Sequence, residues 1–264
     1  MSTQEILRDV PPEEVDALIA DYKSIGANAS KYEQSNGKFT VVAVFNGPAQ
    51  LAPLAMDTID EAGPSQVTKL SEEIPAPMQP ADYALMASEY RRCFDLCQIR
   101  PEYRKEVKSR VSRLLDNSVR YKPLANETNI PWYFIGIIHM LESNTNFGTH
   151  LHNGDPLSAR TVHVPIDRPT NGAPPFSWEE SALDALRFEG FTNRSEWNVA
   201  TMLYRFEKFN GMGYRARNMY SPYLWSYSNL YEKGRFIEDH VFDPDSISKQ
   251  CGAGVLLKAL QQVM

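Results

Sequence analysis

One stretch constrains the fold more than any other: Ile130-Pro131-Trp132-Tyr133-Phe134-Ile135-Gly136-Ile137-Ile138-His139-Met140-Leu141. Nearly every position is apolar. The run has neither the alternation of a half-buried strand nor the single stripe of a surface helix. It is expected to be a central helix, buried on all sides. Pro131 suits its first turn, where a missing N–H costs nothing. The rest of the chain must then supply the apolar surface that surrounds it. With 264 residues, 42% of them hydrophobic and 23% charged, the chain has enough to do so.

Glu142 follows this run directly. At the end of a buried helix a carboxyl meets two effects that raise its pKa. Apolar surroundings disfavour the charged form, and so does the negative end of the helix dipole. A carboxyl still protonated near neutral pH is what a glycosidase needs to protonate a leaving oxygen. Position alone also suits a solvent-exposed glutamate at a helix end.

Three regions are expected along the chain. Residues 1–46 read as a small α/β accessory module. Ile6–Val10 is a strand candidate, and Pro11-Pro12-Glu13-Glu14 a helix start. Ala29–Gln34 and Phe39–Phe45 read as strands around an Asn36-Gly37 turn. Residues 47–80, punctuated by six prolines, read as a linker. Residues 81–264 are mainly helical, with expected helices over Asp82–Leu96, Pro101–Asn117, Trp178–Phe188, Glu196–Phe209, Tyr223–Tyr231 and Ser246–Met264. A polar stretch from Asn144 to Pro175 interrupts them. Its Thr161-Val162-His163-Val164 alternates like a strand and suggests a small β-hairpin lobe. The fold class is therefore α+β.

Motif order adds a family. His139-Met140-Leu141-Glu142-Ser143-Asn144 resembles the catalytic Glu-Ser signature of the lysozyme-like superfamily, which includes goose-type lysozymes, lytic transglycosylases and phage endolysins. Leu203-Tyr204-Arg205-Phe206-Glu207-Lys208-Phe209-Asn210-Gly211-Met212-Gly213-Tyr214 resembles that family's helix ending in an aromatic-Asn-Gly turn. Tyr220-Ser221-Pro222-Tyr223-Leu224-Trp225 resembles the aromatic segment after it. Pro123–Leu257 as a whole, about half the chain, looks like uncharacterised "lysozyme family" proteins of bacteria and their phages. Two departures stand out: Phe209 occupies a place where relatives commonly have Tyr, and the insert from His150 to Pro175 is long. The resemblance implies a lysozyme-like helical domain that cleaves peptidoglycan glycan strands, with Glu142 as general acid. It also implies a cleft lined by Ser143, Asn210, Gly211, Tyr214 and Tyr223.

A second group is needed to hold or activate water. Asp155, thirteen residues after Glu142 in His152-Asn153-Gly154-Asp155-Pro156, is the best candidate, although Asn-Gly and Asp-Pro are also plain turn formers. Thr161 is a candidate for holding the water. Glu179 and Glu180, after Ser177-Trp178, fit a helix's first turn better. With Glu142 alone, a lytic transglycosylase would result. Trp132, Tyr204, Trp225 and Tyr227 are further aromatic candidates for sugar platforms, each also suited to the core.

A rival reading rests on histidine. Four of five histidines fall between 139 and 163, and His150 and His152 with Asp155 or His163 suit a zinc-dependent wall peptidase. No HExxH pattern supports it, and neither metal nor cofactor is expected. A non-catalytic wall-binding protein is a third reading, and chitin an alternative substrate. The net charge of −6 argues against broad nucleic-acid or anionic-membrane binding. No apolar run reaches the roughly 18 residues of a membrane span. Cys93, Cys97 and Cys251 are expected as small core residues. A monomer is expected, made in the cytoplasm without a visible signal peptide and reaching the wall after release or assisted export.

Overall fold

The computed structural model describes residues 3–10, 12, 15–16, 19–20, 23, 28–34, 37–45, 74–81, 83–238 and 241–264. The chain divides into two units, Met1–Pro53 and Leu54–Met264. In the first, strands β1 (Thr3–Val10), β2 (Asn28–Glu33) and β3 (Phe39–Phe45) form an antiparallel sheet in the order β1-β3-β2. β1 starts three residues earlier than expected. Val42 is the central register mark, facing Ile6 on one side and Ser30 on the other. The β2–β3 turn closes through Gln34 N–H to the Lys38 carbonyl at 2.7 Å. Asn36 lies outside the described residues. Helical residues at 12, 15–16, 19–20 and 23 carry Val15 and Ile19 onto Val10 and Val41.

Most of the expected linker also lies outside the described residues. Its last part, Ile74–Pro80, has neither helix nor strand.

The second unit is mainly helical, which makes the whole an α+β fold. Its helices are α1 (Tyr83–Leu96), α2 (Arg104–Asp116), α3 (Ser118–Thr128), α4 (Trp132–Ser143), α5 (Trp178–Phe188), α6 (Val199–Asn210), a single turn α7 (Pro222–Trp225) and α8 (Ala253–Gln261). The apolar run is α4, and it contacts α2, α3 and α8. Phe134, Ile135, Ile137 and Ile138 have no exposed surface. Burying such side chains stabilises the fold by about 1.5–3 kcal/mol each. The three cysteines are free and buried. No described helix is long and apolar enough to cross a membrane.

Three expectations about elements need correction. Thr161–Val164 is not a strand: the 144–175 stretch has only a Thr149–Pro156 bridge. The hairpin of this unit lies elsewhere, as β4 (Arg235–Glu238) and β5 (Val241–Asp243). Tyr223–Tyr231 gives only the four-residue α7, because Ser226 turns extended and Tyr227 takes a φ of +76°. The last helix starts at Ala253 rather than Ser246.

Candidate active site

α4 ends abruptly, which leaves Glu142 in its last turn. Asn144 and Thr145 both take left-handed backbone angles, with φ of +52° and +61°. For a β-branched residue such as Thr145 that is a strained geometry. Hydrogen bonds hold it: Asn144 N–H donates to the Met140 carbonyl at 3.0 Å, and Thr145 N–H to the His139 carbonyl at 3.2 Å. His139 anchors the loop beyond. Its Nε2–H donates to the Asn146 carbonyl at 3.1 Å, so Nδ1 is left to accept from the Tyr121 hydroxyl at 3.0 Å. Burial pushes its pKa down to about 4, which keeps the ring neutral. Gln250 donates to the Leu141 carbonyl and ties the helix end to the segment before α8.

Glu142 itself is half-buried. Burial pushes its carboxyl up to about 7, against the opposing pull of one hydrogen bond from Tyr223. The Tyr223 hydroxyl donates to Oε1 at 3.0 Å. Ser221 caps α7 by accepting the Tyr223 N–H, and this fixes the backbone from which the ring extends. The phenol is held far above its ordinary pKa, by burial first and by the Glu142 charge second, so it remains a donor. Sequence reasoning placed Tyr223 in a sugar cleft. Its contact with Glu142 joins residues 81 apart, and no local pattern signals it.

The insert returns to the same helix end. Gly154, with φ of +81°, lies so close that a Cβ there would sit 3.0 Å from the Glu142 carbonyl oxygen. Only glycine suits both that angle and that approach. Asp155 follows, buried, and its carboxylate is fully engaged. Oδ2 accepts from the N–H groups of Val162 at 2.8 Å and His163 at 3.0 Å, and Oδ1 lies 2.6 Å from His163 Nδ1. Burial works against the charge, but these bonds outweigh it and hold the carboxyl down at about 2. Asp155 is thus an ionised organiser of its loop. Thr161 is buried, and its hydroxyl is committed as well. It donates to the Pro165 carbonyl and accepts from Arg168 N–H at 2.9 Å, with no proton left for a water. The Ser143 hydroxyl donates back to the His139 carbonyl at 3.3 Å.

The histidines are divided among separate tasks. His150 is buried between the Ser181 hydroxyl, 2.7 Å from Nδ1, and the Ala159 carbonyl, 2.8 Å from Nε2. His152 Nε2 lies 2.9 Å from Asp184, which also takes two hydrogen bonds from Arg168. Among the described residues no group of three or more His, Cys, Asp or Glu is gathered to hold a metal ion. Ser177 and Glu180 form a capping box at the start of α5, the structural job expected of that pair.

The remaining expected site residues meet in a groove of about 430 Å3. Asn210, Gly211, Gly213 and Tyr214 line one side, and Phe236, Ile237 and Glu238 of β4 the other. The Tyr214 hydroxyl accepts from Phe236 N–H at 3.1 Å and ties the two sides together. Sequence reasoning missed β4 and β5, because Arg-Phe-Ile-Glu and Val-Phe-Asp are short and show no period-two alternation. Of the other aromatic candidates, Trp225 and Tyr227 are buried, and Tyr227 stacks on Tyr103 with ring centroids 4.0 Å apart. Tyr204 is half-buried, edge-on to Tyr83 and Tyr90.

Compared with protein-family models, curated proteins and solved structures, the chain matches none.

Proposed function

We propose that this chain is a glycosidase that cleaves peptidoglycan between its alternating amino sugars, with Glu142 as the general acid. One observation carries the reading: a carboxyl at the end of an apolar helix, pushed up to about 7, partnered by a neutral phenol and by no cation among the described residues. Such a group keeps its proton in a large fraction of molecules at neutral pH and has one to give to a glycosidic oxygen. The Tyr223 hydroxyl aims its proton at Oε1. It orients the carboxyl and stabilises the carboxylate left after transfer. The resemblance of His139–Asn144 and Leu203–Tyr214 to the lysozyme-like superfamily supports the substrate class.

One observation favours a second reading, a lytic transglycosylase. The Asp155 oxygens already accept from Val162 and His163, which leaves little capacity to activate water. Glu142 would then serve as acid and afterwards as base, and the sugar would close on itself to an anhydro product. The zinc-peptidase reading has less support, because both ring nitrogens of His150 are occupied.

Mass analysis of fragments released from purified peptidoglycan by wild type and Glu142→Gln tests all of these. Reducing ends released only by wild type are the expected result, and anhydro ends select the transglycosylase. Peptide fragments sensitive to chelator would return the zinc reading. Wall binding without any release, unchanged in Glu142→Gln, would leave only a binding protein.

A further inference from the structure

We propose that His163, set in place by Asp155, is the group that takes the proton from the attacking water. The proposal rests on the glycan-cleaving reading and deepens it: His163 supplies the second proton-handling group, a task for which Asp155 has both oxygens already engaged.

The pair has the geometry of an oriented base. His163 Nδ1 lies 2.6 Å from Asp155 Oδ1. Asp155 is held ionised and only accepts, so Nδ1 carries the hydrogen. In the neutral ring Nε2 is then the acceptor, because the bond on one nitrogen fixes the tautomer. Nε2 has no hydrogen-bond partner among the described residues, and the side chain is 78% exposed. The other three histidines between 139 and 163 offer nothing similar. His139 and His150 have both ring nitrogens engaged. His152 Nδ1 has no partner, but its ring is buried away from solvent.

The imidazole is exposed yet held. Asn153 Nδ2 donates to the His163 carbonyl at 3.0 Å. Thr161 N–H donates to the Arg168 carbonyl at 2.8 Å, and Asp167 N–H to the Thr161 carbonyl at 2.9 Å. Core burial does not explain this bracing, since Val162, Val164 and Ile166 are all exposed. What the bracing fixes is the ring, and it does so beside the proton donor's helix. Gly154 packs on the end of α4, where a Cβ would sit 3.0 Å from the Glu142 carbonyl oxygen and 3.8 Å from the Ser143 Cβ. Asp155 is the next residue, so the carboxylate that orients His163 is tied directly to that helix end.

The step balances. Glu142 gives its proton to the glycosidic oxygen as the bond from that oxygen to the anomeric carbon breaks. A water oxygen bonds to the anomeric carbon, and one water proton passes to His163 Nε2. Ionised Asp155 stabilises the imidazolium that forms. Solvent, which reaches the ring, carries that proton away, and Glu142 regains one. The product is a reducing end. Without His163 the sugar's own hydroxyl remains as the nucleophile, and anhydro ends result. Asp155 acts through His163, so its loss should lower reducing-end release as well.

The test uses the full chain and purified peptidoglycan, with mass analysis of the ends released by wild type, Glu142→Gln, His163→Ala and His163→Gln. Glutamine keeps an N–H for Asp155 but takes no proton, so it serves a bracing role and fails a basic one. In both His163 variants reducing-end release should fall about 10²-fold and the share of anhydro ends should rise. The urea midpoint should stay close to that of wild type, because the ring is exposed. Added imidazole should restore part of the release in His163→Ala and none in Glu142→Gln. Reducing-end release within a few-fold of wild type in His163→Gln overturns the assignment. So does a loss in His163→Ala that imidazole leaves untouched, or a wild type that yields anhydro ends alone. The two proposals fail distinguishably. A wild type that releases nothing removes the glycosidase and the role of His163 with it. An active wild type, an inactive Glu142→Gln and indifferent His163 variants remove His163 alone.

Discussion

Glu142 and Glu207 stand near the ends of two helices of the same unit, and the fold treats them in opposite ways. Glu207 is wholly buried. Arg215 Nε donates to it at 2.8 Å and the Tyr90 hydroxyl at 2.5 Å. Arg215 also pairs with buried Glu89 at 2.7 Å, and Glu89 takes Met78 N–H at 2.6 Å. Through this centre the 75–79 segment is strapped down: Arg215 donates to the Met78 carbonyl, and the Tyr220 hydroxyl to that of Pro75. Burial pushes both Glu142 and Glu207 upward, but only at Glu207 does a guanidinium pull back. An acid used as a structural tie is given a counter-ion. The acid assigned to proton transfer is given only a neutral donor, whose pull does not cancel the rise that burial causes.

Removing the counter-ion should break the comparison most severely. Arg215→Met leaves two carboxylates buried without a cation, and a loss of about 3–5 kcal/mol in unfolding free energy is expected. Urea titration measures it, and a loss below about 1 kcal/mol would mean that the centre is not what holds the strap. Glu142→Gln should do the converse. Activity on purified peptidoglycan should fall about 10²–10⁴-fold, the usual contribution of a general acid, with stability at neutral pH held or raised. The sign follows from linkage. A carboxyl whose folded pKa lies above its unfolded value favours folding at low pH. That contribution is lost as pH rises from the ordinary carboxylate range to about 7. In Glu142→Gln this part of the pH dependence should vanish.

The next effect concerns rate against pH. Activity that requires protonated Glu142 should decline as pH rises through about 7. The Tyr223 hydrogen bond lowers the Glu142 pKa, so Tyr223→Phe should move that alkaline limb to higher pH, at a cost of about tenfold in turnover. An unmoved limb would separate Tyr223 from the titrating group.

How much of this was legible in advance depends on distance along the chain. α4 and the carboxyl at its end could be read from Ile130–Glu142 because the signal is local: a run with no polar face. The capping box at Ser177–Glu180 could be read for the same reason. The Glu89–Arg215–Glu207 centre could not, since each residue alone resembles a surface charge and the meeting spans 126 positions. Thr161–Val164 alternated like a strand but has no partner strand. Asp155 and Thr161 satisfy its backbone and that of its neighbours instead, through Val162, His163 and Arg168. The hairpin at 235–243 escaped because its strands have only four and three residues, too short for periodicity to stand out.

The smallest effect bears on Asp155, a third treatment of an acid: buried, ionised and held at about 2 by donors from its own loop. Its folded pKa is depressed, so its contribution to stability is present above the ordinary carboxylate range and lost as pH falls towards 2. Asp155→Asn should cost about 1–3 kcal/mol near neutral pH and flatten acid unfolding below about pH 4. Turnover in the same variant separates the two chemistries. If Asp155 serves as the base of a hydrolase, or sets His163 to that task, its loss should cost at least about 10²-fold. If holding its loop is its whole task, a variant that is less stable but turns over within a few-fold of wild type is expected. Glu142 would then act alone, and anhydro ends should appear among the products.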